Sequence, residues 1–518
     1  MVLRSVVTLS LLLVSCAVSA APELAYNIDC WCFGDFFYKP EKSDPEAVRK
    51  GAQTAPENYG WYTADVQGAI AYVDDILRGA VTRLVMNVNG QRSNVDSQAF
   101  EPIWQNGITN GMPQYKYVRL MKDLHDRGID YFAVWTRRCR EKGVQPWMSI
   151  RMNDMHVADD PGCPSISDFW REHPEYRRYP NSVPKGIWFW ESQSLDFAHA
   201  AVRDRICNYI VEILNKYDID GLELDWTRFA WVFAPGKERE NAPLLTQLMR
   251  RIRRAANETA KRRHHPILIS CRMLATPETE IAFGRDVGVW GHEKLMDIVD
   301  VGNHFETPDF EIPVDRWRQV LGDGVQVVPH VDCSLAFDWR DGRYHTRLLS
   351  REEYLGWADV METRGCRDLS LYNLFGQPRS SPENVLTLTR GLVGDAVAKE
   401  PRRYPLSHRD RCFSGARDPA YPPRLSTSLD KGFACSIPVG AASGMTQLIL
   451  GLGNPATNVP PATVNGVRTG AFTPCEEFGC HGLAAPVPAS ALRRGHNDIT
   501  LPAVPGSVLV YVALRVTP

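Results

Sequence analysis

The sequence has no long apolar segment and no excess of charge of one sign. Its 59 lysine and arginine residues nearly balance its 61 aspartate and glutamate residues, so the net charge is −2. A general nucleic-acid-binding protein would carry a basic excess, and a membrane-spanning helix needs about 20 consecutive apolar residues. We therefore predict neither nucleic-acid binding nor a membrane span. With 44% hydrophobic residues, the chain has the composition of a globular protein with a large core.

The common metal-binding motifs are also missing. No His-Glu-X-X-His occurs, the predicted first strand has no His-X-His, and Cys30 and Cys32 lack a second cysteine pair to complete a zinc site. We predict no metal and no cofactor. A metal-dependent hydrolase remains an alternative, and its ligands would come from His156, His304, His330, Asp225 and Asp332.

The first 20 residues resemble a secretory signal peptide. Arg4 precedes a short apolar stretch, residues 6–14, and Val18-Ser19-Ala20 supplies a small-residue cleavage site. This pattern predicts a protein that is secreted, periplasmic or at the cell surface, and some of its cysteines should then be oxidised. The segment Leu13-Val14-Ser15-Cys16 is similar to a bacterial lipobox, so a lipid anchor at Cys16 is an alternative to simple cleavage.

Strand-like and helix-like segments alternate along most of the chain. The predicted strands, which are apolar or β-branched and end in polar residues, are 26–33, 83–89, 144–151, 219–226, 266–272, 297–304, 325–331 and 367–374. The clearest segments with helical periodicity are 117–142, 200–216, 242–263 and 351–364. Eight strands that alternate with helices predict a (β/α)8 TIM barrel over residues 21–395.

The character of the sequence changes after about residue 395. Proline and glycine become frequent, helical periodicity ends, and short strand candidates follow at 432–438, 446–452, 462–467 and 507–516. Asn465-Gly466 is a strong signal for a tight turn between two strands. We predict that residues 396–518 form a small C-terminal β-sandwich.

The most informative stretch, Ile219 to Phe229, is an apolar strand that ends in acidic residues. Alternate side chains of a strand share one face, so Glu223 and Asp225 would both point into the barrel. Buried acids are costly unless they are paired, hydrated or in use. We predict that at least one is catalytic or binds substrate; the alternative is a structural pair with Arg228 or Arg272.

The other strand ends add polar and aromatic side chains to the same mouth of the barrel. The predicted substrate-binding residues are Arg151, Asn153, Asp154, Trp226, Arg228, Arg272, His304, His330 and Asn373. Aromatic residues such as Trp147, Trp226 and Trp231 suit the stacking of sugar rings. The arginines indicate that the glycan could be anionic, because guanidinium groups bind such groups bidentately, although they could instead neutralise the two acids.

One region resembles a known enzyme group. Leu195-Asp196-Phe197-Ala198, Val202-Arg203 and the segment 217–225 resemble the fourth-strand region of bacterial barrels named "family 10-like glycosyl hydrolase", which are related to the α-amylase type. The resemblance implies that Asp225 is the nucleophile and that Asp332 matches the seventh-strand aspartate. Glu223 stands where the α-amylase type carries an arginine. The predicted fifth strand offers only Glu278 and Glu280, in the loop that follows it.

These observations predict a secreted glycoside hydrolase that acts on a poly- or oligosaccharide with a pair of carboxyl groups. The predicted catalytic residues are Asp225, Glu223, Glu306 and Asp332. Asp225 would be the nucleophile or charge stabiliser, and Glu306 or Glu223 would donate the proton. A non-catalytic carbohydrate-binding protein is a further alternative, which would bind a saccharide and form no product.

Overall fold

The computed structural model describes residues 22–29, 37–38, 62–105, 116–303, 308–340, 343–372, 382–406 and 425–518, apart from residues 157, 159, 161, 164, 184, 186–191, 457, 478 and 479. Eight parallel strands form a closed barrel, in which each strand pairs with its neighbours in sequence and the first pairs with the last. They are β1 (Leu24–Ile28), β2 (Arg83–Asn87), β3 (Gln145–Arg151), β4 (Gly221–Asp225), β5 (Leu268–Leu274), β6 (Ile298–Gly302), β7 (Gln326–Asp332) and β8 (Leu369–Tyr372).

Helices surround the barrel strands. They are α1 (Val66–Ile76), α2 (Lys116–Asp126), α3 (Tyr131–Glu141), α4 (Asp168–Glu172), α5 (Ala200–Lys216), α6 (Glu238–Arg263), α7 (Pro277–Ala282), α8 (Val287–His292), α9 (Val314–Leu321), α10 (Arg351–Thr363), α11 (Pro382–Arg390) and α12 (Asp395–Lys399). Among the described residues, no helix combines the length and the apolar character that a membrane span requires.

The TIM barrel predicted from the alternation is confirmed, and two helices differ from their predicted bounds. The segment 117–142 forms two helices, because Gly128 adopts a left-handed φ of 69° and Asp130 caps α3 with its side chain. Helix α6 begins at Glu238, a full turn before the predicted start at residue 242, and includes Pro243. Proline is most common in the first turn of a helix, and for this reason the sequence predicted a start just before Pro243.

Two antiparallel sheets follow the barrel and confirm the predicted β-sandwich. The first contains strands Arg402–Pro405, Val508–Thr517, Met445–Leu452, His481–Val487 and Thr473–Cys475, with Thr427–Ser428 paired at its side. The second contains Phe433–Val439, Gly495–Leu501, Thr463–Val464 and Val467–Arg468. Asn465 and Gly466 both have positive φ, as the predicted tight turn requires.

Polar contacts join α10 of the barrel to the sandwich. Glu353 on this helix is fully buried, and its carboxylate accepts hydrogen bonds from Arg347 at 2.6 and 2.7 Å and from the Tyr511 hydroxyl at 2.8 Å. Asp359, further along the same helix, accepts hydrogen bonds from the Tyr404 hydroxyl and the backbone nitrogen of Ala441. The sandwich therefore packs on a barrel helix through satisfied buried charges.

Candidate active site

The amino-terminal end of the barrel interior is filled by an apolar layer. Trp147 is fully buried there with Ala25, Val85, Ile298 and Val328. Its indole lies over Gly221, where an added Cβ would approach the ring to 2.3 Å, so glycine is required at this position. The Arg83 guanidinium covers the ring at 4.5 Å. Trp147 therefore forms the floor of the barrel, whereas we had expected it among the sugar-stacking aromatics.

Glu223 lies in the layer above this floor and points inward from β4. Its Oε1 atom accepts hydrogen bonds from Ser149 Oγ at 2.7 Å and from Asn27 Nδ2 at 2.8 Å. Its second oxygen, Oε2, has no hydrogen-bond partner among the described residues. Burial, together with the nearby carboxylates of Asp300 and Asp225, raises the pKa of Glu223 to about 8. The side chain is therefore largely a neutral carboxylic acid at pH 7.

Asp225 lies two residues further along β4 and has the opposite protonation behaviour. Its Oδ1 atom accepts hydrogen bonds from Thr227 N at 2.9 Å, Thr227 Oγ1 at 2.7 Å, Arg228 N at 3.2 Å and Arg272 Nη1 at 3.1 Å. Burial opposes ionisation, but the guanidinium groups of Arg272, Arg228 and Arg151 lower the pKa of Asp225 below its ordinary value. Asp225 is thus an ionised carboxylate, and its Oδ2 atom has no described partner.

His330 on β7 completes the same layer as Glu223. Its Nδ1 atom lies 2.5 Å from Asp300 Oδ1, and its Nε2 atom lies 3.1 Å from the carbonyl oxygen of Asn303. The imidazole occupies space above Gly302, where an added Cβ would come within 2.5 Å of the ring. His330 is therefore fixed beside the acids, in the inward position that the strand pattern predicted.

The predicted arginines form the layer at the carboxyl ends of the strands, and each is paired with a carboxylate. Arg151 binds Asp29 at 2.7 Å and Asp154 at 3.0 Å, and Arg228 binds Asp29 at 3.3 Å. Arg272 binds Asp225, as given above. The described mouth therefore has no surplus of positive charge, which was the basis for expecting an anionic glycan.

Asp154, in the loop that follows β3, supports this layer of arginines. Its carboxylate is buried and accepts from the backbone of His156 and contacts the His156 ring, both at 2.9 Å. Burial opposes ionisation, but His156 and Arg151 lower the pKa of Asp154 well below its ordinary value. Asp154 is thus a permanent counter-charge that orients Arg151.

Tyr372 at the end of β8 is a site residue that the sequence analysis missed. Its ring stacks on the Arg272 guanidinium, whose central carbon lies 3.2 Å from the ring centroid. The hydroxyl is buried and has no hydrogen-bond partner among the described residues, and burial raises the pKa of Tyr372 to about 12. Asn27, Asp29 and Asp300 were missed as well. Asn27, Asp300 and Tyr372 face inward by the alternation of their strands, and Asp29 continues this alternation directly after β1, so alternation was the signal available.

Two predicted binding residues have structural roles instead. Asn153 donates from Nδ2 to the carbonyl oxygens of Leu195 at 3.0 Å and Trp231 at 2.7 Å, and its Oδ1 accepts from Leu195 N. Trp226 is buried between Phe197 and Trp290, outside the barrel interior, because it directly follows Asp225 and alternation turns its side chain to the opposite face. Neither side chain is free to contact a sugar.

Asp332 lies at the end of β7, on the same face as His330. Its Oδ1 atom accepts from the backbone nitrogen of Ser334 at 3.1 Å and from its hydroxyl at 2.9 Å. Glu306, His304 and Asn373, also predicted at the mouth, lie outside the described residues. Within the described part of the chain, no three or more histidine, cysteine, aspartate or glutamate side chains group together in a way that could hold a metal ion.

The backbone beside Asp225 is strained. Phe229 has a positive φ of 61°, a conformation that is unfavourable for a bulky side chain. Its ring meets the His156 ring edge to face, with 4.9 Å between the centroids. Such strain, on the order of 1–3 kcal/mol, is typical of functional sites that the surrounding structure holds in place.

No protein-family model and no curated protein sequence matches this chain, so the predicted "family 10-like" membership is not confirmed. Similar solved structures include the PgaB (BpsB) glycoside hydrolase domain from Bordetella bronchiseptica, at 11% identity and a TM-score of 0.40 over 72% of this chain and 100% of that one. Chitinase ChiW from Paenibacillus sp. str. FPU-7 matches at 9% identity and a TM-score of 0.43, over 94% and 52% of the two chains. The glycoside hydrolase family 18 N-acetylglucosaminidase from Paenibacillus barengoltzii matches at 10% identity and a TM-score of 0.37, over 72% and 100%. At these values the likeness concerns the overall fold and says nothing about the chemistry of this site.

Proposed function

We propose that the protein is a glycoside hydrolase that cleaves a poly- or oligosaccharide at the carboxyl-terminal mouth of the barrel. Glycosidic cleavage needs one carboxylic acid to protonate the leaving oxygen and one carboxylate as nucleophile or base. Glu223, with its pKa raised to about 8, and Asp225, with its pKa lowered, have these two protonation states at neutral pH.

One observation carries this proposal: each carboxyl group has one anchored oxygen and one oxygen without a described partner. Oε1 of Glu223 accepts two hydrogen bonds, so the acidic proton belongs on Oε2. Oδ1 of Asp225 accepts from Thr227, Arg228 and Arg272, which leaves Oδ2 for the reacting carbon or a water molecule.

In this proposal, Asp225 stabilises the positive charge that develops on the sugar, or attacks it, and Glu223 protonates the leaving oxygen. Consecutive inward residues of a strand have Cα atoms roughly 6.5–7 Å apart, which is compatible with two carboxyl groups that act on one bond. Arg272 keeps Asp225 ionised, and His330 and Arg151 would orient the sugar hydroxyls. The paired arginines favour a substrate that is uncharged near the cleaved bond.

The test is a screen of the purified full chain against a panel of soluble polysaccharides, with release of reducing ends as the measurement. We expect hydrolysis of at least one uncharged polysaccharide, and a loss of about 10²–10⁴-fold in kcat for E223Q and for D225N. D359N is the matched control, because Asp359 is a buried carboxylate on α10 whose hydrogen bonds go to Tyr404 and Ala441 of the sandwich.

Full turnover by D225N, with its fold verified by circular dichroism, would remove Asp225 from the chemistry. Saccharide binding that persists in E223Q and D225N, with no product from the wild type, would identify a carbohydrate-binding protein instead. Activity that requires an added divalent metal would favour the metal-dependent alternative.

A further inference from the structure

A surface cleft lies outside the barrel interior, against helix α5. Its volume is about 740 Å³, within the range of roughly 300–1,000 Å³ that is usual for ligand sites. Three segments line it: residues 96–105, which follow β2; helix α4, which follows β3; and the first turns of α5. Both preceding strands end at the mouth of the barrel, so the cleft lies on the outer wall beside that mouth.

Aromatic rings form the walls of this cleft. Trp104 and Phe169 are half-buried, and Phe100 is buried behind them. The Arg205 guanidinium is held between two of these rings, 3.6 Å from the centroid of Phe100 and 4.9 Å from that of Phe169, and it pairs with Glu101 at 2.5 Å. Trp104 stacks on His125 at 4.7 Å. The rings are thus held in fixed orientations before any ligand binds.

Uncharged polar groups surround the rings. Gln98, Gln105 and Asn208 are exposed and line the same cleft. An amide side chain both donates and accepts hydrogen bonds, as the hydroxyl groups of a sugar do. Phe100 is stacked on Tyr209 at 4.3 Å and contacts Arg205, so it supports the cleft, and the half-buried rings of Trp104 and Phe169 are the ones that would meet the C–H faces of a sugar. Such rings, with amides at the edges, match a saccharide better than a purely apolar ligand.

The charge of the cleft argues against an anionic ligand. The described residues that line it include the carboxylates of Asp96, Glu101, Asp168 and Glu172 and a single cation, Arg205. Glu101 already neutralises that cation, and Asp168 pairs with Arg92 at 2.7 Å and with Arg171 at 3.0 Å, so the excess negative charge rests on Asp96 and Glu172. Net negative charge would repel uronic acids, sulfated sugars and nucleic acids. An uncharged glycan therefore fits best.

A row of rings extends from the cleft along the surface. Phe169 contacts His173 at 5.0 Å, His173 stacks on Tyr176 at 4.7 Å, and Tyr176 contacts His199 at 4.7 Å. All of these side chains are half-buried. His199 directly precedes α5, at the end of this helix that faces the mouth. The row thus leads from the cleft toward the rim of the barrel.

We propose that the cleft and this row of rings bind a segment of an uncharged polysaccharide next to the active-site mouth. The inference deepens the proposed function, since it assigns a long neutral glycan as the substrate class, but the binding itself requires no catalysis. A polymer held beside the mouth would present successive segments to the site, whereas a short oligosaccharide would not gain from the cleft.

Native gel electrophoresis with embedded polysaccharides tests this inference. The full chain carrying E223Q and D225N is run through gels that contain neutral glucans, galactomannan or glycol chitin, and through gels that contain polygalacturonate. We expect retardation by at least one neutral polymer, weakened about tenfold by W104A or F169A. The exposed-amide variant Q98A/N208A should also weaken it and leaves the packed rings intact. F472A removes a half-buried ring from the sandwich and is the matched control.

Equal retardation of the cleft variants and their parent, retardation by polygalacturonate alone, or no retardation by any neutral polymer would overturn the inference. Failure of the proposed hydrolase function would give a different set of results from failure of the cleft assignment. If hydrolysis is found but the cleft variants bind normally, only the cleft assignment fails. If the cleft variants lose binding but the wild type releases no product from any polymer, only the hydrolytic assignment fails.

Discussion

The imidazole of His330 occupies the space that a side chain at position 302 would need. A Cβ on Gly302 would lie 2.5 Å from Cδ2 and 2.6 Å from Nε2 of His330. We expect G302A to displace His330 from Asp300 and to lower the free energy of unfolding by about 1–3 kcal/mol. Urea denaturation measures this change. G288A is the control, because its Cβ would meet nothing closer than 3.5 Å; equal losses in both variants would contradict the prediction.

The raised pKa of Glu223 makes stability depend on pH in a defined direction. The carboxyl titrates near 4.5 in an unfolded chain and near 8 in the folded one, so the folded state retains a proton that the unfolded state has lost. The contribution of Glu223 to stability must therefore fall as pH rises from about 5 to 8. E223Q keeps the acceptor oxygen for Ser149 and Asn27 but cannot titrate. We expect the unfolding midpoint of the wild type to decline more steeply than that of E223Q over this range, and parallel curves would refute the assignment.

The same titration sets an upper pH limit for activity. Glu223 can protonate a leaving group only while it holds its proton, so kcat/KM should decline above pH 8 with the slope of a single deprotonation. The lowered pKa of Asp225 keeps the second group ionised to well below neutral pH. A pH profile of kcat/KM, measured on the substrate found in the screen, tests this prediction. Constant activity up to pH 10 would assign the proton donor to another residue.

The Asp225–Arg272 pair is buried, so removal of one partner should cost far more than removal of both. We expect R272M to destabilise the fold by about 3–5 kcal/mol, because it leaves the Asp225 carboxylate buried without its cation. The double variant D225N/R272M should be more stable than the sum of the two single effects predicts. A double-mutant cycle from chemical denaturation measures this coupling, and strict additivity would mean that the pair does not interact.

Two buried tyrosine hydroxyls should respond differently to removal. The Tyr511 hydroxyl donates to the Glu353 carboxylate at 2.8 Å, so Y511F should cost about 1.5–3 kcal/mol. The Tyr372 hydroxyl has no described partner, so Y372F should not destabilise the protein. Differential scanning calorimetry of both variants compares them directly. A larger loss for Y372F than for Y511F would contradict the prediction.

The fold could be predicted well from the sequence, because barrel strands are continuous apolar segments and the helices between them have clear periodicity. The single predicted helix 117–142 shows the limit of this reasoning. Periodicity continues across Gly128, and only the backbone conformation reveals that the chain turns there. The position of Pro243 inside α6 is a second example, since the residues before it carry weak periodicity.

The candidate site was predicted in part. Alternation placed Glu223, Asp225, His330 and Arg272 correctly on the inner face, and the same rule, applied strictly, excludes Trp226. Alternation does not reveal which residues form hydrogen bonds or ion pairs with each side chain. The side-chain amide of Asn153 donates to the carbonyl oxygens of Leu195 and Trp231 and accepts from Leu195 N, and both partners lie far away in the sequence. Asp29, which pairs with two arginines, lies beyond the last residue of a short first strand.

The indole of Trp147, seated on Gly221 beneath the Arg83 guanidinium, closes one end of the barrel axis. A glycan chain cannot be threaded along that axis from one side of the protein to the other. If the protein hydrolyses a glycan as proposed, the product must leave by the opening through which the substrate entered, so product release precedes each new binding event at Glu223 and Asp225. Cleavage within a chain would then require the polymer to bend into the opening or to lie across it.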